Sequence, residues 1–539
     1  MSIMVQGLEH SVFSSSSQGS GSGVGVGEQV RRLLADYGCG SADRVMWFRD
    51  DLRLRDNAAF EWLCGGGVGG KPASVVAVFV LESQQGSRPL GRASKWWLYH
   101  SLFSLTRDLA QVGVPFVVCA GDSSVVVPEL VRQLGARKVA WSRRYHAPLC
   151  AVDASVKETL KQRGVVARSC AGFLLTEPWQ VRTNQGGDYR VYGPFSKKAM
   201  QVLEQERIDA PTSLSHTVTA DLSAVRSSVG GREEATMAAV DGLCLLPAQR
   251  GEPAWDKEFA QHHRPGEIGA WARAEEFFRT IGTRHGDDGY ACGRDFPSKQ
   301  VVSGLSPHFR FGEISPRVVY DQVIGVGGQD ALVFCKELLW RDFAWHRLFH
   351  NPLMEVECIR GEFEQYPWAR FPLELDVVYR SQPAGSRDEF RLVSEQFSTP
   401  GSDFVAWARG TTGISLVDAG MRELWRTGVM HNRVRMVTGS LLTKNLGIDW
   451  RLGEQWFWDA LVDADLAANP FNWQWVAGCG DDAAPFFRIF NPDTQAKRFD
   501  PDATYRKEFI EEFSTPSYPP PLVDLKESRR CALDAYRSL

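Results

Sequence analysis

At 539 residues the chain is too long for one hydrophobic core, so two or more domains are expected. Hydrophobic residues make up 43% and charged residues 23%, and no apolar run approaches the roughly 20 residues that cross a bilayer, which excludes a helical membrane protein. A formal net charge of −4 excludes a protein that coats nucleic acid by bulk charge, although a local basic face can sit inside such a total.

Residues 1–43 open with MSIMVQGLEHSVFSSSSQGSGSGVGVG, which is rich in Ser and Gly. They lack a secretory hydrophobic region and the Arg-rich face of a mitochondrial presequence, and they read as a disordered leader. Ordered pattern begins at Arg44. RVMWFR (44–49), SVVAVFVL (74–81), PFVVC (115–119), KVAWS (138–142) and VVARS (165–169) are short β-branched runs of the kind buried strands use. Helix-like stretches such as ASKWWLYHSLFSLTRDLAQ and APLCAVDASVKETLKQR lie between several of them. This alternation predicts a Rossmann-like α/β domain with a parallel sheet over residues 44–203. No G-x-G-x-x-G follows the first strand, so a dinucleotide site of the usual Rossmann kind is not predicted.

Residues 204–265 dissolve into Pro, Ser, Gly and scattered charge and read as an interdomain linker. From 266 to 510 the strand patterns vanish and an all-α domain is predicted, with helices in AWARAEEFFRTI, SPRVVYDQVI, DALVFCKELLWRDFAWHRLFH, LVDAGMRELWRTG, NRVRMVTGSLLTKNL and EQWFWDALVDADLAAN. An irregular insert at 372–403 interrupts it, and 511–539 reads as a C-terminal tail. Eleven Cys occur with no C-x-x-C pair, so neither a zinc ribbon nor a disulfide framework is indicated and a reducing compartment is expected.

The helical region carries the chemistry. Glu337, Trp340 and Arg341 in KELLWRDF are spaced i, i+3, i+4 and share a helix face. Together they suit a planar ligand, or else form an intrahelical Glu–Arg pair beside a core indole. His431, Asn432, Arg433, Arg435 and Met436 crowd two turns, and residues 420–451 hold six Lys/Arg against two Asp/Glu, a local excess that could meet phosphates or be a solvated face. In DADLAANPFNWQWVAGCG, Asp463 and Asp465 offer too few hard oxygens for a metal, so none is expected. Trp473 and Trp475, beside Asn and Asp groups able to read a heterocycle's edge, favour stacking on a flat ligand.

From WFRDDLRLRDN through SGLSPHFRFGEISPR, ELLWRDF, TGISLVDAGMREL, MHNRVRM and DADLAANPFNWQWVAGCGDDAAPFFRIFNPDTQAKRFDP, the chain resembles the photolyase/cryptochrome family. Within it the resemblance is strongest to the class I/III-like cyclobutane pyrimidine dimer photolyases. The resemblance implies an α/β antenna domain, a linker and a helical domain that holds FAD below a cavity for a flipped-out dimer. It also implies light-driven repair of dimer-containing DNA by a soluble intracellular monomer, placed in the nucleus in a eukaryote and the cytoplasm in a bacterium. A second chromophore, methenyltetrahydrofolate or a deazaflavin, would serve as antenna. The alternative within the family is a cryptochrome, a blue-light photoreceptor that signals through a partner.

Carried over residue by residue, the resemblance places Asn469 at flavin N5. Asp463 pairs with Arg435, Asp465 lies at the ring edge or ribose, and Asn432 sits near both flavin and substrate. Tyr290, Ser303, Leu305 and Ser306 cradle the phosphates and ribityl chain, and Arg341 joins the cofactor set. Glu337 would bond the dimer bases, Trp340 and Trp475 grip the dimer, and Met436 lies nearby. Trp473 and Trp450 are the inner members of an electron-hopping chain; Phe397 stands at the usual outermost indole, and Trp368 is the substitute. Val302 and Gly304 depart from the family pattern at the phosphate cradle and imply weaker FAD binding. Val429, Ile414, Ser415 and Pro470 depart from it around the cavity.

Overall fold

The computed structural model describes residues 12–13, 25–65, 74–84, 86–209, 233–252, 254–284, 286–373, 375, 399–482 and 487–539. Six strands, β1 (Val12–Phe13), β2 (Arg44–Phe48), β3 (Val75–Glu82), β4 (Phe116–Gly121), β5 (Lys138–Ser142) and β6 (Val166–Cys170), form one sheet in the order β1-β4-β3-β2-β5-β6. Every pairing is parallel. All five residues of β2 and all six of β4 are buried, as expected of parallel strands covered on both faces. Trp96, Leu102 and Leu105 of the helix Arg92–Gln111 cover one face, while Val30, Val126, Leu130 and Val156, from three other helices, cover the other.

The helical domain is built around the helix Gly328–His350, whose Leu339, Phe343 and Ala344 lie in one core with Val319, Phe404 and Phe471. The two domains are locked together by buried polar contacts. Arg53, 1% exposed, donates to Gly312 O at 2.9 Å and Gly172 O at 3.0 Å, and the Glu267 carboxylate accepts from Leu54 N at 2.7 Å and Arg55 N at 3.1 Å. No helix among the described residues is long and apolar enough to cross a membrane.

The structure departs from the sequence expectation in the leader and in one helix, and shows helices within the connector and the tail. The leader expected to be disordered through residue 43 contains the helix Val26–Asp36, whose Val30 and Leu34 are buried against the sheet; its apolar stripe is short but has somewhere to go. The linker is ordered at both described ends. The helix Tyr192–Asp209 runs into it, and Glu233–Gly242 returns to the sheet, where Thr236 Oγ1 donates to Phe116 O at 2.8 Å. The C-terminal tail includes the helix Leu525–Arg537, docked through Tyr366 Oη to Ala532 O at 3.2 Å and Asn445 Nδ2 to Ser528 Oγ at 2.9 Å. Most of the 372–403 insert lies outside the described residues, although the helix Thr399–Arg409 begins within it.

A break in one expected helix positions the site. The helix expected through EQWFWDALVDADLAAN stops at Ala460 and a new one starts at Ala468. At the break Leu461 is extended and Val462 N donates to Gly428 O at 2.9 Å, so a tertiary hydrogen bond outcompetes the helical one. Asp463 and Asp465 therefore stand in a loop.

Candidate functional site

That loop meets the start of the helix Asn432–Ser440, the turn before Ser306 and the middle of the helix Gly328–His350. Asp463 Oδ2 accepts from Arg435 Nη2 at 2.9 Å and from Ser306 Oγ at 2.7 Å. Its other oxygen, Oδ1, is buried with no hydrogen-bond partner among the described residues. A carboxylate oxygen left in this way invites a donor from outside the chain. Asp465 Oδ1 accepts from Ala467 N at 2.8 Å and from Ala468 N, satisfying free amides at the start of the next helix. Burial raises the Asp465 pKa, and the nearby Arg341 guanidinium opposes that rise.

Asn469 stands in the first turn of that helix. Its Nδ2 donates to Glu454 O at 3.0 Å and to Glu454 Oε1 at 2.8 Å. Two acceptors on one nitrogen fix which way the amide points, and no donor among the described residues reaches Oδ1. Pro470 is tolerated because a first-turn residue needs no amide proton for the helix ladder.

Around the polar centre, Leu305 is fully buried, Ser303 is half-buried and Ser306 is exposed. Tyr290 is packed between Phe277 and Phe334, with Arg294 over its ring at 5.8 Å. Gly304 has φ +65°, a left-handed conformation that favours glycine and accounts for the missing side chain at this position. Asn432 is exposed and Met436, one turn on, is half-buried. His431 does not join them. Its Nδ1 accepts from Arg433 N at 3.2 Å as a helix cap, and burial pushes its pKa down to about 4, so it is a neutral cap.

Glu337 bonds Arg294 rather than Arg341, so the intrahelical pair does not form. Arg341 turns inward, donating to Phe173 O at 2.8 Å and Phe309 O at 3.4 Å. Trp340 lies flat on Tyr192, with centroids 3.5 Å apart and an interplanar angle of 7°. Its ring lies tilted at 48° to Phe471, centroids 6.3 Å apart, one helical turn before the half-buried Trp475. Trp473 is buried against Phe457 at 5.0 Å and Trp407 at 6.1 Å. It presses on the helix that begins at Trp450, where Gly453 is required because a Cβ would meet the indole at 2.2 Å. Trp368 donates from Nε1 to Thr443 O at 2.8 Å, and the bridge Ala369–Ile448 brings its segment beside that of Trp450.

The basic stretch 420–451 is not a free phosphate-facing surface. Arg422 pairs with Glu512, Arg426 with Glu258, Arg433 with Asp295, Arg435 with Asp463 and Arg451 with Glu364, while Lys444 is buried on Arg488 O. Sequence reasoning missed Glu454, Arg294 and Tyr192, the partners that orient Asn469, Glu337 and Trp340. None lies at a helical spacing from the residue it serves, so no local signal marks it.

Residues 44–213 match a family model described as DNA photolyase, and residues 334–517 one described as the FAD binding domain of DNA photolyase. A deoxyribodipyrimidine photo-lyase of Agrobacterium fabrum is 38% identical over 528 residues, covering 93% of this chain and 98% of the relative. Cryptochrome-1 of Arabidopsis thaliana is 28% identical, covering 88% of this chain and 64% of that protein. The crystal structure of a bacterial class III photolyase from Agrobacterium tumefaciens superposes with a TM-score of 0.76 at 37% identity, covering 92% of this chain and 98% of the other.

Proposed function

The chain belongs to the photolyase/cryptochrome family, and from that premise we propose that it is a deoxyribodipyrimidine photo-lyase, splitting cyclobutane pyrimidine dimers in DNA under blue or near-UV light with FAD as cofactor. The observation that carries this reading is the locked amide of Asn469, whose Oδ1 suits the protonated N5 of a reduced flavin. An acid or thiol there, common in cryptochromes, would favour other states.

The residues around the loop fit FAD: the orphaned Asp463 Oδ1 wants a donor, and Ser306 and Arg435 hold that carboxylate in place. When bound and fully reduced, FAD supplies light absorption and one electron, which returns once the cyclobutane bonds have opened. The chain's own contribution is positioning and exclusion of water. Trp340 and Trp475 offer aromatic faces to the flipped dimer, with Tyr192 holding the Trp340 plane. Arg294 anchors the Glu337 carboxylate, which accepts base N–H protons. Trp473, Trp450 and Trp368 carry electrons inward to restore the reduced cofactor. The protein works as a monomer, and a folate or deazaflavin antenna would show as a second chromophore in the absorption spectrum of the purified protein.

Repair of the (6-4) photoproduct requires a proton to be delivered at the lesion. On the helix facing the cavity, Asn432 and Met436 cannot deliver one, and His431 is a neutral cap. Both lesions should be assayed in matched oligonucleotides with photoreduced enzyme. Turnover of the cyclobutane substrate alone is expected; turnover of the (6-4) substrate would overturn the assignment, and turnover of neither would favour the cryptochrome reading.

A further inference from the structure

Two buried thiols lie beside an indole of the electron chain. Cys358, in the loop after the helix Gly328–His350, and Cys479, just past the helix Ala468–Ala477, are 7% and 0% exposed. Backbone pairing brings their segments together: Ile359 N donates to Gln474 Oε1 at 2.9 Å and Arg360 N to Cys479 O at 2.8 Å. Cys479 Sγ donates to the same Gln474 Oε1 at 3.9 Å, so one amide oxygen ties Cys479 to the residue after Cys358. Arg451, the residue after Trp450, donates from Nη2 to Cys358 Sγ at 3.8 Å. The same guanidinium lies over the Trp450 ring, 4.9 Å from its centroid, and so bridges the Cys358 sulfur and the indole.

Buried cysteines are commonly small hydrophobes. This pair differs in having a guanidinium on one sulfur, which favours the oxidisable thiolate, and an indole beside it. Lys444, on the π-helical turn Leu441–Asn445, lies with Nζ 4.2 Å from the ring centroid of Phe487, which packs on Gly478 next to Cys479, and burial lowers its pKa to about 7. Glu364 Oε1 accepts from Cys358 N at 2.8 Å and from the same Arg451 Nη2 that reaches the Cys358 sulfur.

We propose that Cys358 and Cys479 are an internal two-electron reductant that refills Trp450 during light-driven reduction of the flavin. The proposal rests on the electron chain given above. After Trp450 has passed an electron inward, its radical cation takes one from Cys358, and the Cys358 thiol proton goes to Glu364. The resulting sulfur radical bonds to Cys479, whose proton goes to Lys444. A second electron leaves through Trp450 after a second photon. Two S–H bonds break and one S–S bond forms, with release of two electrons and two protons. Oxidised FAD takes up two electrons and one proton on becoming the fully reduced anion, so one dithiol supplies one cofactor, and the other proton reaches solvent.

The test uses the holoprotein with oxidised FAD, illuminated without oxygen and without added reductant. Protein thiols, counted after denaturation, should fall by two for each flavin reduced, and mass spectrometry should find the Cys358–Cys479 disulfide peptide. Cys358→Ser and Cys479→Ser should each lose most of this reductant-free photoreduction and recover it fully with dithiothreitol. An unchanged thiol count, a disulfide at other cysteines, or serine variants that photoreduce like the parent would overturn the dithiol while leaving the indole chain standing. Variants not rescued by dithiothreitol would overturn it too, since their defect would not be electron supply. Failure of the parent protein even with dithiothreitol would overturn the indole chain and the dithiol with it.

Discussion

Glu454 holds Asn469 by two hydrogen bonds and is itself held by Arg88, whose Nη1 and Nη2 reach its two carboxylate oxygens at 2.8 and 2.7 Å. A side chain of the α/β domain thus sets the orientation of an amide in the helical domain. Glu454→Leu keeps only the backbone acceptor, loosens the amide, and should lower the two-electron potential of bound FAD by about 10–30 mV, the equivalent of one ordinary hydrogen bond. Glu454→Gln, which keeps a side-chain acceptor, should shift it less. Potentiometric titration checks this, and an unmoved potential in Glu454→Leu would remove Asn469 from flavin N5.

The stacked pair Tyr192–Trp340 should matter for damaged DNA alone. Trp340→Ala is expected to weaken binding to dimer-containing DNA by roughly 1–3 kcal/mol, the usual loss for an aromatic stack on a base. Tyr192→Ala should act in the same direction with smaller effect, because it frees the indole without deleting it. Undamaged DNA, held through phosphates, should change little in either variant. Fluorescence anisotropy on matched duplexes reads both; equal losses on the two duplexes would exclude Trp340 from lesion binding.

Trp473, packed on Gly453 of the helix that begins at Trp450, should be needed for electron supply and not for bond splitting. Trp473→Phe should slow photoreduction of oxidised FAD and leave repair by chemically pre-reduced enzyme nearly intact. Stopped illumination with absorbance readout separates the two, and a repair defect in pre-reduced variant would give Trp473 a structural role.

Glu423 anchors the start of the Asn432–Ser440 helix by accepting from His431 N at 3.1 Å and also bonds Tyr505 Oη. Burial pushes its pKa up to about 7, opposed by those hydrogen bonds. With the folded pKa above the ordinary carboxylate value near 4.5, the folded state holds a proton that the unfolded state releases. Its contribution to stability is therefore full at low pH and is lost as pH rises from about 4.5 through about 7. Glu423→Gln keeps an acceptor and removes the titration. Denaturant unfolding at pH 5, 6, 7 and 8 should show the parent losing stability relative to the variant across that window. Parallel curves would mean that Glu423 stays ionised.

Several features were legible in the residues alone. The β-branched runs at 44–49, 74–81 and 115–119 gave buried parallel strands because a strand covered on both faces must be apolar throughout. Helical periodicity likewise marked Gly328–His350 and Ser415–Thr427, since the apolar stripe a helix buries is written at fixed spacing along it. What the tertiary structure decided was which groups meet. The break at 461–467 depends on Gly428 O reaching Val462 N, a bond that exists only after distant segments have packed. The basic run at 420–451 is neutralised by Glu258, Asp295, Glu364, Asp463 and Glu512, all outside the run itself. Asn469 finds Glu454 fifteen residues back, and Glu337 finds Arg294 forty-three residues back. Spacing along the chain fixes which face of an element turns inward, because that is a property of one helix or strand. The partner it meets there is fixed by how several elements pack, and no local pattern contains that information.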